Sequence, residues 1–226
     1  MALSQRKRGV GEDGTVEVRS LNERFEMHEE AVRAVIEDPL ESKARGKDQK
    51  KEKKAKRKAI KQALKAEDDG EPRRPRIFVL DFDGDMQASQ VDQLREEVSA
   101  ILPVVGEADK VLLRLESGGG VVHGYGLAAS QLMRLKDAGI TLTISVDKVA
   151  ASGGYMMACV GDEIIAAPFA ILGSIGVVAQ LPNFHRLLKK NDIDFEMHTA
   201  GEYKRTLTVF GENTDKAREK FQADID

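Results

Sequence analysis

The chain has 226 residues, of which 32% are charged, a formal net charge of −3 and one cysteine, Cys159. That length allows one or two domains, and a lone thiol excludes an intramolecular disulfide. The apolar neighbours of Cys159 predict a packed side chain rather than a reactive one.

The first 75 residues carry twenty basic and sixteen acidic side chains, few aromatics and little apolar periodicity. Residues 1–75 are therefore expected to form a charged arm, partly helical or disordered, that buries no core. Between Lys43 and Lys65, twelve Lys or Arg stand against two acidic residues, with alanines between them. Such a run suits a solvated connector, or contact with an anionic membrane surface. No nucleic-acid-binding motif accompanies it, and no nucleic acid partner is expected. Met1 to Arg8 lacks the apolar stretch of a signal peptide. From Arg76 onward, glycine-punctuated apolar runs are long enough for one compact domain over 76–226.

That domain opens on a predicted strand near Ile77 to Asp81, which continues into Phe82-Asp83-Gly84-Asp85. The pattern is similar to the first motif of haloacid-dehalogenase phosphatases, in which one aspartate attacks phosphorus and the next moves a proton beside Mg²⁺. Asp85 replaces the usual threonine, however, and no lysine motif precedes an acidic pair such as Gly161-Asp162 would begin. Gly84 also falls two positions early for a calcium loop. These aspartates are expected to form a strand-end turn.

A helix is predicted near Gln90 to Leu102, then a strand near Val111 to Leu115 that runs into Ser117-Gly118-Gly119-Gly120. A glycine corner of this kind either turns bare N–H groups toward a ligand, as an oxyanion hole does, or is simply a loop. A helix near Gly124 to Ala138 and a β-branched strand near Leu142 to Val146 follow.

Val149-Ala150-Ala151-Ser152-Gly153-Gly154 then places a serine at a strand-to-helix corner. Its hydroxyl either sits among unpaired helix N–H groups, poised as a nucleophile, or merely caps the helix near Gly153 to Cys159. A nucleophilic serine needs a base. His28 lies in the arm, and His123, His185 and His198 have no triad-like setting. A lysine serves if its pKa falls from about 10.4 toward neutrality, which burial usually achieves. Lys204, in a short and mostly uncharged corner, is the lysine that looks held; Lys148 is its rival, and Lys189 and Lys190 read as solvated.

Beyond a strand near Glu163 to Ala166, the uncharged run Ile164 to Leu181 reaches transmembrane length. Pro168, Gly173, Ser174 and Gly176 break it, so buried strands and turns are expected there, followed by a helix near Asn183 to Asn191.

VDKVAASGGYMMACVGDEIIAAPFAILGSIGVVAQ and HTAGEYKRTLTVFGENT resemble the SohB branch of the signal peptide peptidase A family, membrane-associated serine peptidases with a Ser-Lys dyad. The resemblance runs from about Arg76 to the end. It implies Ser152 as nucleophile, Lys204 as general base, oxyanion N–H groups near Gly119 and Gly153, and Ser174 as an aid in orienting the lysine ammonium. Gly118 departs from the family, which usually has proline there. The resemblance further implies peptide substrates, including signal peptides, no cofactor or metal, and a homo-oligomer. It also implies a place at the bacterial inner membrane with the catalytic domain in the periplasm, an anchor helix ahead of this chain and a continuation past Asp226.

The βα alternation predicts an α/β fold with a mostly parallel sheet and covering helices, which the resemblance sharpens to the Clp-protease/crotonase type. A crotonase-like acyl-CoA enzyme or binding scaffold, using the same glycine corners without the serine, is the competing class.

Overall fold

A computed structural model describes residues 16–38, 41, 45–48, 50–52, 54–55, 58, 74–201 and 204–226. Most of the expected arm, including Lys43 and Lys65 themselves, lies outside the described residues. Within the arm, α1 (Leu21–Ile36) is capped by Ser20, whose side chain accepts the Glu23 N–H, and it buries no residue. A helix that buries no residue draws its stability from capping and from i,i+4 pairs such as Glu29 with Arg33 rather than from a core.

The domain begins at an anchor between two loops. Arg76 pairs with the buried Asp109 carboxylate, which also accepts the backbone N–H groups of Arg76 and Gly106 at 2.7 and 2.8 Å. This joins the start of β1 (Ile77–Gly84) to the turn before β2 (Lys110–Ser117). The two strands run parallel in register from Ile77 opposite Lys110 to Gly84 opposite Ser117. Between them, α2 (Val91–Ile101) buries Leu94, Val98 and Ile101, a stripe at i, i+4 and i+7.

The other edge of β2 is shared. Its first half pairs with β3 (Thr141–Val146), and Ser117 at its end pairs with Ala150 of β4 (Val149–Ala151). The chain breaks pairing at Asp147-Lys148 and so splits one lane into two strands. The next lane splits likewise, β5 (Glu163–Ala166) pairing with β3 and β6 (Ile171–Gly173) with β4. All these pairings are parallel, and the divided lanes curl the sheet into the half-barrel of a Clp-protease/crotonase-like fold.

One face of this sheet is apolar and covered. Leu80, Phe82, Val111, Leu113, Leu115, Leu142, Ile144 and Val146 alternate along their strands and meet α2 and α3 (Val122–Asp137), whose Ala128, Leu132 and Leu135 are buried. Burying side chains of this size stabilises the fold by about 1.5–3 kcal/mol each. The opposite face carries polar pairs. Asp81, which the phosphatase pattern would make a nucleophile, is held by Arg114 at 2.6 and 2.7 Å. Asp85 closes the strand-end turn, its carboxylate accepting the N–H groups of Gln87 and Ser89. Asp162 accepts the Leu142 N–H at 2.8 Å and pairs with Lys136. All three carboxylates are tied into local structure.

Two expectations are corrected. Ile164 to Leu181 does form strands and turns, but it is not buried: all four residues of β5 are exposed, and Phe169 is 97% exposed. Among the described residues, no helix is long and apolar enough to cross a membrane. Cys159 is exposed rather than packed, because the short helix α4 (Gly153–Ala158) ends there and turns it outward. Beyond β6, α5 (His185–Lys190) and α6 (Asp215–Ile225) bury no residue.

Candidate active site

Ser152 stands where β4 turns into α4, with φ 51° and ψ −119°. A non-glycine residue occupies that region only when its surroundings impose it, at a cost of about 1–3 kcal/mol. The surroundings here are explicit. The Ser152 N–H donates to the Gly173 carbonyl at 2.8 Å, and its own carbonyl accepts the Met156 N–H at 2.9 Å. Although Ser152 occupies the N-cap position of α4, its side chain makes no capping hydrogen bond. The hydroxyl is half-buried at the corner and is not consumed by the helix.

The glycine corner after β2 packs directly against this serine. Gly119 has φ +84°, and a Cβ on it would lie 2.6 Å from the Ser152 Cβ and 2.7 Å from the Ala151 carbonyl oxygen. Glycine is required there both by backbone and by space. Gly118, in contrast, has nothing among the described residues within 4 Å of where a Cβ would be. The Gly119 N–H donates to Ser117 Oγ at 3.0 Å. The Gly153 N–H has no backbone partner among the described residues.

Beneath the corner lies a pair of residues that sequence reasoning missed. Tyr125 of α3 is fully buried; its hydroxyl donates to the Asp85 carbonyl at 2.7 Å and lies 2.5 Å from Ser117 Oγ. Its ring occupies the place a Gly153 side chain would need, and Ser117 occupies that of Gly154. Burial pushes the phenol pKa up, so it stays a neutral donor. The sequence signal was the small residue at positions 84, 153 and 154, which only topology connects to Tyr125 and Ser117.

The lysines separate clearly. Lys148, the rival base, is exposed and bound to both oxygens of Glu116 at 2.8 and 2.9 Å. The Glu116 carboxylate raises its pKa, holding it as a cation, the wrong direction for a general base. Lys189 and Lys190 are exposed, as expected.

Lys204 departs from expectation. It is exposed, its backbone N–H reaches the Gly201 carbonyl at 3.4 Å, and among the described residues its side chain has no hydrogen bond or ion pair, with Ser152 or any other group. What holds this segment is the backbone farther on. Asn183 donates to the carbonyls of Thr208 and Gly211, and Asn213 binds both backbone groups of Thr208. Phe210 packs beside Phe184 and Phe195. Ser174 is also exposed, with φ 55°; its neighbour Gly173, at φ 120°, supplies the carbonyl that pins Ser152.

A family model described as "Peptidase family S49 N-terminal" matches residues 1–132, and one described as "Peptidase family S49" matches residues 134–226. The chain is 54% identical over its whole length to a protein named "Probable protease SohB" from Haemophilus influenzae, of which it covers 64%. It is 68% identical over 151 residues to a protein of the same name from Buchnera aphidicola subsp. Schlechtendalia chinensis, covering 67% of this chain and 50% of that one. A more distant relative, "Protease 4" of Haemophilus influenzae, is 28% identical over 121 residues, 51% of this chain and 20% of that one. The chain thus spans about half to two thirds of the length of the two SohB relatives.

Proposed function

The chain belongs to peptidase family S49, and from that premise we propose that it carries the nucleophile and base of a serine endopeptidase, Ser152 and Lys204. The observation that carries this is Ser152 itself: a serine held at φ 51° with no capping duty, walled by a glycine that admits no side chain. Strain of this kind at a half-buried corner fits a hydroxyl presented for reaction.

In the proposed reaction, neutral Lys204 takes the proton from Ser152 Oγ as the oxygen bonds to the scissile carbonyl carbon. The oxyanion that forms accepts hydrogen bonds from the Gly153 N–H and from a backbone N–H of the glycine corner near Gly119. Collapse breaks the C–N bond, the leaving amine takes the proton from the lysine ammonium, and water then hydrolyses the acyl-enzyme. Ser174 orients the ammonium. Lys204 is exposed, so this scheme needs a further surface to exclude water from it, either more of the whole protein or a second subunit of a homo-oligomer. Signal peptides or other short peptides are the proposed substrates, with no cofactor. The basic run Lys43 to Lys65 would rest against anionic lipid at a bacterial inner membrane, with the catalytic domain on the periplasmic side.

Cleavage of a quenched fluorescent peptide by the full-length, detergent-solubilised protein tests this. Lys204→Ala is expected to lower kcat by roughly 100-fold or more. Turnover by Lys204→Ala at the unmodified rate would remove the lysine from the mechanism.

A further inference from the structure

The proton positions along the buried chain under the glycine corner follow from valence. The Asp85 carbonyl can only accept, so the single Tyr125 proton goes to it at 2.7 Å. Ser117 Oγ–H must then donate to the Tyr125 oxygen at 2.5 Å, which leaves a Ser117 lone pair for the Gly119 N–H at 3.0 Å. Four groups from the end of β1, the end of β2, the glycine corner and α3 form one directed chain, Gly119 to Ser117 to Tyr125 to Asp85. Two of the four have a second contact: the Asp85 carbonyl also accepts the Ala88 N–H at 3.1 Å, and Ser117 Oγ also lies 3.4 Å from the Gly84 carbonyl.

This chain is also the seat of the nucleophile. Gly153 rests on the Tyr125 ring, and a Cβ at Gly154 would lie 2.7 Å from the Ser117 carbonyl oxygen. At Gly84, a Cβ would lie 2.5 Å from the Tyr125 hydroxyl and 2.6 Å from Ser117 Oγ. Gly119, at the head of the chain, touches Ser152 from the other side. The backbone on both sides of Ser152 is therefore set by the depth at which the Tyr125 hydroxyl locks.

Resting on the Ser152 nucleophile reading, we infer that Tyr125, acting through Ser117, is a positioning residue for acylation: it fixes the Gly119 peptide and the Ser152-Gly153 corner against each other. Tyr125 touches no substrate atom. It acts by removing freedom from the groups that do, and a small displacement there carries a large rate penalty.

The test uses the full-length protein, a fluorophosphonate probe that labels activated serines, and a peptide substrate, all at temperatures well below unfolding. Tyr125→Phe keeps the ring and deletes the hydroxyl. It is expected to slow labelling about tenfold and to lower kcat by a similar factor, with KM unchanged within about twofold. Ser117→Ala, which breaks the same chain without touching the aromatic core, is expected to do the same. The double variant should be no slower than either single one within about threefold, because both cut one chain. Labelling of both single variants at the unmodified rate overturns the inference, as does a loss confined to melting temperature or KM. Absence of labelling in the unmodified protein instead overturns the nucleophile reading beneath it.

Discussion

Gly119 and Ser152 face each other so closely that a Cβ on the glycine would stand 2.6 Å from the Cβ of the serine. With φ at +84° the glycine is also in a backbone region closed to most side chains. Gly119→Ala is expected to destabilise the domain by about 2 kcal/mol and to slow peptide cleavage by roughly 100-fold through displacement of the corner. Gly118→Ala, one residue earlier and facing open space, should raise stability by about 0.4–1 kcal/mol by restricting the unfolded chain. Urea unfolding and kcat of the two variants, compared side by side, check both statements.

The backbone strain at Ser152 has its own signature. Glycine tolerates φ 51° and ψ −119° and alanine does not, so Ser152→Gly should be more stable than Ser152→Ala by about 1–3 kcal/mol. Ordinary corners show the reverse order. Melting temperatures of the two inactive variants report it, and equal values would mean the corner relaxes freely.

Lys148 lies four positions before Ser152, yet its ammonium is bound by Glu116. Lys148→Met should leave kcat within about twofold of the unmodified enzyme, since exposed ion pairs contribute little. Loss of turnover in that variant, with Lys204→Ala still active, would exchange the roles of the two lysines.

The Asp109 carboxylate is held well below its ordinary pKa, first by the hydrogen bond from Arg76 and then by the Gly106 N–H. A pKa lower in the folded than in the unfolded state, where it is about 3.9, adds stability above pH 4 that is lost as pH falls toward the folded value. Asp109→Asn should therefore lower the melting temperature at pH 7 and lose less on acidification. Thermal unfolding followed by circular dichroism from pH 7 to pH 3 should show the two curves converging at the acid end.

The sheet was legible where alternation is long. The strand near Glu163 to Ala166 is observed with those ends, and those near Ile77, Val111 and Leu142 grow by one to three residues at their ends. β4 and β6, three residues each, are too short for any period to register, and they are the strands that split the lanes beside Ser152. The arm was expected to be partly helical, but the bounds of the helix Leu21–Ile36 were not legible because its apolar residues, Phe25 and Val35 among them, are exposed and trace no buried stripe. At the site, the serine corner and its glycines could be read locally. Tyr125 could not, because its partners Gly84, Ser117 and Gly153 come from three other elements. The exposure of Lys204 was not legible for a related reason: an uncharged neighbourhood in sequence does not ensure cover in space.

Mass spectrometry of the full-length protein after fluorophosphonate treatment tests the role of Ser152 most directly. The probe adduct is predicted on the peptide containing Ser152, absent in Ser152→Ala and strongly slowed in Lys204→Ala. An adduct on Ser117 or Ser174 instead, or peptide turnover that persists in Ser152→Ala, would contradict it.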